Sequence, residues 1–315
     1  MSLPLSPPLE PQLARPRKTL PEDDGWAFEP KYDGFRALAF VDGDEVYLQS
    51  RGKRPLRRYF PELTFPAGRY VLDGEIVVGD PDGLRQDFGA LQQRLHPAES
   101  RVRLLAEQTP STFVAFDLLA RDDEVLMELP FAERRAALEA FVSDPVRLAP
   151  TAATAAEAEP WLHGAEGVIA KQLGAPYRPG KRDGMVKVKR VRTMDAVVVG
   201  WRPGKEAGTV GSLILGLYDP DGELNVIGHT SGLSAARKRE LVAELAPYET
   251  GEHGSGDPSR WATERDLEWR TLRPELVVEV SYDHASNGRI RHGTKLLRWR
   301  DDKAPRECAL DQLDD

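Results

Sequence analysis

Residues 29–36 read Glu29-Pro30-Lys31-Tyr32-Asp33-Gly34-Phe35-Arg36, and the rest of the chain is understood through this stretch. It sets a lysine between two apolar runs, residues 26–30 and 35–41, with Asp33-Gly34 as turn residues between them. The pattern predicts a hairpin that holds Lys31 with sheet on both sides. A lysine amine attacks nothing while protonated, and its ordinary pKa of about 10.4 keeps it protonated at neutral pH. Desolvation and neighbouring cations both disfavour the ammonium form, and an amine so activated forms covalent intermediates. An ordinary hairpin with a solvated lysine is the plainer reading of these eight residues taken alone.

Further along lie groups that such a lysine would need. Residues 70–78 read as a β-branched strand carrying Asp73 and Glu75, two positions apart and so on one face. Incidental loop acids are the bland alternative, but an apolar strand is a costly place to leave carboxylates without partners. Residues 111–119 form a second strand containing Phe116-Asp117, and residues 131–142 an amphipathic helix. Residues 166–171 set Glu166 at one end of a strand and Lys171 at the other. Residues 185–190 alternate apolar and cationic side chains, so Lys187 and Lys189 share a face, toward water or toward an anion.

At 315 residues the chain exceeds the size at which one core stops growing, and two domains are expected, 1–192 and 193–315. Residues 1–20 are proline-rich and read as an extended arm, and the 30 residues before Lys31 are too few for a further folded domain. Beyond residue 196 the texture changes to short strands at 196–201, 212–218, 223–228, 276–282 and 296–300, with one helix at 234–245. Five strands and a helix fit an oligonucleotide-binding (OB) barrel. Cys308 is the single cysteine, which excludes disulfides within the chain and thiolate metal clusters. With no signal peptide or membrane span, the expectation is a soluble cytoplasmic protein. The net charge of -8 argues against a nonspecific coat for nucleic acid. Basic residues nevertheless concentrate at 51–58, 178–192 and 289–306. One such run is usually a solvated face; three flanking one candidate site point to a polyanion.

The segment from Lys31 to Arg36 resembles motif I of the covalent nucleotidyltransferases. Ser50-Arg51-Gly52, Asp73-Gly74-Glu75, Phe116-Asp117-Leu118-Leu119, Glu166 to Lys171 and Lys187-Val188-Lys189 look like motifs Ia, III, IIIa, IV and V, in family order. Residues 298–303, from Arg298 to Lys303, resemble motif VI. The full length, including residues 58–63, 90–106 and the Arg-Pro-Glu to Tyr-Asp-His segment of residues 273–284, closely resembles the bacterial ligase C type of ATP-dependent DNA ligase found in actinobacteria. The resemblance implies an α+β, ATP-grasp-like adenylation domain with antiparallel sheets and flanking helices, followed by an OB-fold domain, with neither a helical DNA-binding domain nor a polymerase or nuclease module. It implies nick sealing in DNA repair through a lysyl-AMP on Lys31, with ATP as substrate and Mg²⁺ or Mn²⁺ as the metal. Lys187 and Lys189 would bind the α-phosphate and lower the pKa of Lys31. Glu29 and the Lys31 backbone would meet the adenine edge, and Phe116 its face. Arg36 and Arg51 would contact ribose and the nick phosphate, with Arg182 near that phosphate. Glu166 is the metal candidate, with Glu75 divided between metal and ribose. Arg300, Asp302 and Lys303 would orient pyrophosphate, helped by a hinge near Thr193. The expected partners are nicked duplex DNA and a repair polymerase or primase-type protein; a monomer, nucleoid-associated when bound to DNA, is expected. The alternatives are an RNA ligase, a guanylyltransferase, or a non-catalytic OB-fold scaffold.

Overall fold

The computed structural model describes residues 2–80, 85–190, 192–255, 268–282, 285–286, 288–290 and 293–313. Within the motifs and basic runs named above, Val191, Asp283, His284, Arg291 and His292 lie outside those described. The chain divides into two compact units, Met1–Arg190 and Val191–Asp315.

The first unit runs β1 (Arg15–Pro16), β2 (Trp26–Pro30), β3 (Phe35–Gly43), β4 (Glu45–Ser50), β5 (Gly68–Val78), α1 (Phe88–Gln93), α2 (Glu99–Gln108), β6 (Ser111–Arg121), β7 (Glu124–Val125), α3 (Phe131–Phe141), β8 (Arg147–Leu148), α4 (Ala155–Gly164), β9 (Gly167–Gln172) and β10 (Met185–Lys189). Two sheets organise it, one ordered β4-β3-β5-β6-β7 and the other β1-β10-β9-β2. β3, β5 and β6 are buried along most of their length, with Ala37, Ala39, Leu72, Ile76 and Phe113 in one core. Such strands read as near-continuous apolar runs because both faces are covered.

The hairpin expected around Lys31 does not form. β2 pairs antiparallel with β9, from Trp26 opposite Gln172 to Pro30 opposite Val168, whereas β3 pairs with β4 and β5. The Lys31 amide continues the β2 ladder by donating to the Gly167 carbonyl at 2.8 Å. Asp33-Gly34 is thus a crossover between two sheets. Alternation identifies strands but does not choose their partners. All five residues of β2 are buried, so its backbone groups needed a ladder on the second sheet. At Gly34 a Cβ would collide with the Ile76 carbonyl, so only glycine lets the crossover lie this close to β5.

The second unit comprises β11 (Arg192–Pro203), β12 (Val210–Tyr218), β13 (Leu224–His229), α5 (Ala235–Leu245), β14 (Glu249–Ser255), β15 (Glu268–Leu272), β16 (Val277–Tyr282), β17 (Ala285–Ser286), β18 (Arg289–Ile290) and β19 (Lys295–Trp299). Its main sheet is ordered β13-β12-β11-β15-β14, and β16 pairs with both β11 and β19. β14 and β15 exceed the five strands expected. No residue of β14 is buried, so it carries no apolar alternation to read, and in β15 the two buried residues, Trp269 and Leu272, stand three apart and break the period of two.

Candidate active site

Lys31 leaves the end of β2 at the seam where the two sheets meet. One cleft there is lined by Lys31, Glu29, Arg36, Arg51, Glu75, Phe116, Arg182 and Lys187, eight of the residues anticipated from sequence. Glu166 and Lys189 join them through Lys31. The ammonium of Lys31 is ion-paired with Glu166 Oε2, and Lys189 Nζ lies 3.2 Å from Oε1 of the same carboxylate. The two cations thus share one acid that bridges them. Where the sequence reading sets Lys189 directly against Lys31, the Glu166 carboxylate stands between the two.

The cation whose charge the site opposes is Lys187. Desolvation lowers its pKa, and the positive charges of Lys31, Lys189, Arg51 and Arg182 lower it further. An anion placed among these five cations would relieve their repulsion, which is the electrostatic signature of a phosphate site.

One wall is the ring of Phe116, set among buried ion pairs. Phe116, on β6, is 8% exposed and has the Arg36 guanidinium 5.0 Å and the Lys171 ammonium 4.6 Å from its ring centre. Lys171 also donates to the Phe116 carbonyl at 3.1 Å and pairs with Glu29 Oε2 at 2.8 Å. Burial raises the pKa of Glu29 against the pull of Lys171 and Arg135. Its Oε1 has no hydrogen-bond partner within the protein, and Arg135 Nη1 stands 3.7 Å away, likewise without one. Arg36 is gripped by Asp73, with Nε donating to Oδ1 at 2.9 Å and Nη2 to Oδ2. Burial disfavours that guanidinium charge, but Asp73 more than offsets it.

Glu75 belongs to the acid side of the cleft. Burial pushes its carboxyl up to about 8, against the opposing charges of Arg36 and Lys31 and with the help of Asp73 and Glu166. Among the described residues no group of three or more His, Cys, Asp or Glu side chains is arranged to hold a metal. Two hard oxygen donors, Glu75 and Glu166, fit Mg²⁺, which keeps several waters and is bound through one or two carboxylates plus substrate phosphates.

Arg300 and Lys303 belong to the second unit, where both converge on Asp195 of β11. Arg300 Nη1 donates to the two Asp195 oxygens at 2.8 and 2.9 Å, and Lys303 Nζ to Oδ2 at 2.9 Å. Arg300 also bonds Asp302, whose carboxyl it holds down to about 2.

The model of the family described as ATP dependent DNA ligase domain matches residues 11–189, and that of the ATP dependent DNA ligase C terminal region matches residues 206–303. This chain belongs to the ATP-dependent DNA ligases. It is similar to DNA ligase C1 of Mycolicibacterium smegmatis, 46% identical with 100% of this chain and 96% of that one covered. DNA ligase C of Mycobacterium tuberculosis is 43% identical, again with 100% and 96% covered. The ligase domain of M. tuberculosis LigD is 32% identical, with a TM-score of 0.53, covering 96% of this chain and 98% of that one. A Lig E DNA ligase at 20% identity shares the fold, with a TM-score of 0.56 over 92% of this chain and 99% of that one. The fold is therefore α+β, a nucleotidyltransferase domain joined to an OB-fold domain. Sequence reasoning missed Leu13, Ala14, Ile169 and Met185 as cleft residues of this ligase, and noticed Lys171 without giving it a role. Lys171 and Ile169 were within reach, since alternate positions of β9 share a face; the two arm residues carried no signal.

Proposed function

We propose that this enzyme seals nicks in duplex DNA through a lysyl-AMP at Lys31, in DNA repair. In the first step Lys31 Nζ, having lost a proton, forms a bond to the α-phosphorus of ATP while the bond to the bridging oxygen breaks and pyrophosphate leaves. The 5′-phosphate at the nick then attacks the same phosphorus and releases Lys31. Finally the 3′-hydroxyl attacks the 5′-phosphorus, loses its proton, and expels AMP. Each step needs in-line positioning and neutralised phosphate charge more than covalent help from the protein.

The reading rests on one observation, the four cations gathered around Lys187 beside the buried ring of Phe116. Lys187 and Lys189 are assigned to the α-phosphate, Phe116 to the adenine face, and Arg36 and Arg51 to ribose and the nick phosphate, with Arg182 near that phosphate. Glu29 Oε1, an orphaned buried acceptor, suits an exocyclic amine such as that of adenine. Because the Lys31 N–H is taken by Gly167, a backbone contact from Lys31 to a base would use its carbonyl. Glu75 and Glu166 would hold Mg²⁺, whose charge would screen the phosphate oxygens. Arg300 and Lys303 are assigned to pyrophosphate.

The test is to incubate the protein with labelled ATP and Mg²⁺, measure its mass and map the modified peptide. One AMP on Lys31, absent from Lys31→Ala, is expected. No adduct, or an adduct that survives that substitution, would overturn the reading.

A further inference from the structure

Asp73 is fully buried, and its carboxylate does more than neutralise Arg36. Its Oδ2 accepts a second hydrogen bond, at 2.7 Å, from the hydroxyl of Tyr177, a residue 1% exposed. The same hydroxyl oxygen accepts from the backbone N–H of Gln12, in the amino-terminal arm, at 2.9 Å. An amide N–H can only donate, so the hydroxyl proton has a single direction left, toward Asp73. Burial, with the Asp73 charge beside it, keeps the Tyr177 hydroxyl protonated. Gln12 thus donates to Tyr177 and Tyr177 to Asp73, and the Asp73 carboxylate accepts from the other side the guanidinium of Arg36, which lies over Phe116 in the cleft.

The arm that carries Gln12 is itself anchored. Leu3, Leu5 and Leu9 pack against the cluster that contains Tyr177, Leu38 and Phe40. Leu9 exchanges hydrogen bonds with the Gln49 side chain at 3.0 and 2.6 Å. Beyond Gln12 the arm pairs parallel with β10, Pro16 opposite Lys187.

We infer that Tyr177 is a positioning residue for Arg36 in the nucleotidyl-transfer reaction, held in place by the backbone of the amino-terminal arm. Asp73 alone supplies Arg36 with charge, but a carboxylate on one side-chain pivot can rotate; the second bond fixes its plane, and with it the guanidinium fork. The inference rests on the proposed function, because it assumes that Arg36 touches the nucleotide or the nick.

The experiment uses full-length Tyr177→Phe, which keeps the ring and removes the hydroxyl. Nick sealing and lysyl-AMP formation are measured below the melting temperature, with folding verified on the same samples. Sealing by Y177F is expected to fall about tenfold, the scale of one hydrogen bond to a charged group. Sealing within twofold of wild type would overturn the inference. A double-mutant cycle with Arg36→Lys then separates positioning from general support of the fold. If Tyr177 acts through Arg36, Y177F costs nothing further in the R36K background; an undiminished loss there also overturns the inference. Failure of the wild-type protein to form Lys31-AMP would instead condemn the proposed function, a result distinguishable from either.

Discussion

Glu75 carries its proton in the folded chain at a pH where an exposed glutamate is ionised, since burial outweighs the pull of Arg36 and Lys31 and raises its pKa from 4.5 to about 8. The folded state then binds more protons than the unfolded state between those values, so the stability tied to this group is complete below 4.5 and lost as the pH rises to about 8. Glu75→Gln, which cannot ionise, is expected to melt like the wild type near about pH 5 and a few degrees higher near about pH 8. Thermal melts across that range check this, and a wild-type advantage at the alkaline end would refute it. A cation must displace the same proton, so Mg²⁺ affinity is expected to rise over the same window, readable by isothermal titration in the presence of ATP. Lys31, Glu75 and Glu166 were legible as residues because motif order marks them. Tyr177 and Asp195 were not, since a hydrogen bond between positions 73 and 177 leaves no local pattern.

Between elements, the pair that ties α3 to the central sheet is Arg134 with Asp117. Both side chains are 2% exposed, and the guanidinium bonds the carboxylate twice, at 2.8 and 3.0 Å. Removing one partner leaves a buried, unpaired charge. Arg134→Met is therefore expected to cost about 3–5 kcal/mol, while the double replacement Arg134→Met with Asp117→Leu recovers most of it. Urea unfolding of both variants decides the matter; equal losses would mean the pair is held by something other than charge. A related constraint sits at the start of β9, where Gly167 has a φ of 146° and a Cβ would strike the Val188 carbonyl. Gly167→Ala is expected to lower the melting temperature and, by pushing β9 from β10, to impair lysyl-AMP formation; an unchanged melt would contradict this. The strands themselves were readable from alternation and β-branched content. Their pairing was not, and the Lys31 segment shows why: β2 and β3 look like the arms of a hairpin yet belong to different sheets.

For the molecule as a whole, a net charge of -8 means that DNA affinity must come from local basic surface such as residues 51–58 and 178–190. Contacts of that kind release counterions, and about six phosphate contacts would lose roughly 10³-fold in affinity between about 50 and 200 mM salt. Nick sealing is expected to be far more salt-sensitive than lysyl-AMP formation on the same enzyme. Titrating salt in both assays tests this, and parallel loss of the two activities would show that salt acts on ATP binding or on folding. Among the described residues no helix is long and apolar enough to cross a membrane.

What the sequence determined by itself was chemistry: a lysine set among motifs whose order names the nucleotidyl-transfer reaction, with the acids and cations that reaction requires. Those signals are local, carried by residue type and by spacing within one strand. The tertiary structure decided adjacency. It placed Lys31 on a crossover between sheets, set Glu166 between Lys31 and Lys189, brought the arm to the cleft, and turned Asp195 into the partner of Arg300 and Lys303. Each of these joins positions far apart in the chain. Such contacts are selected by the burial and hydrogen bonding of whole elements, which no short stretch of residues encodes.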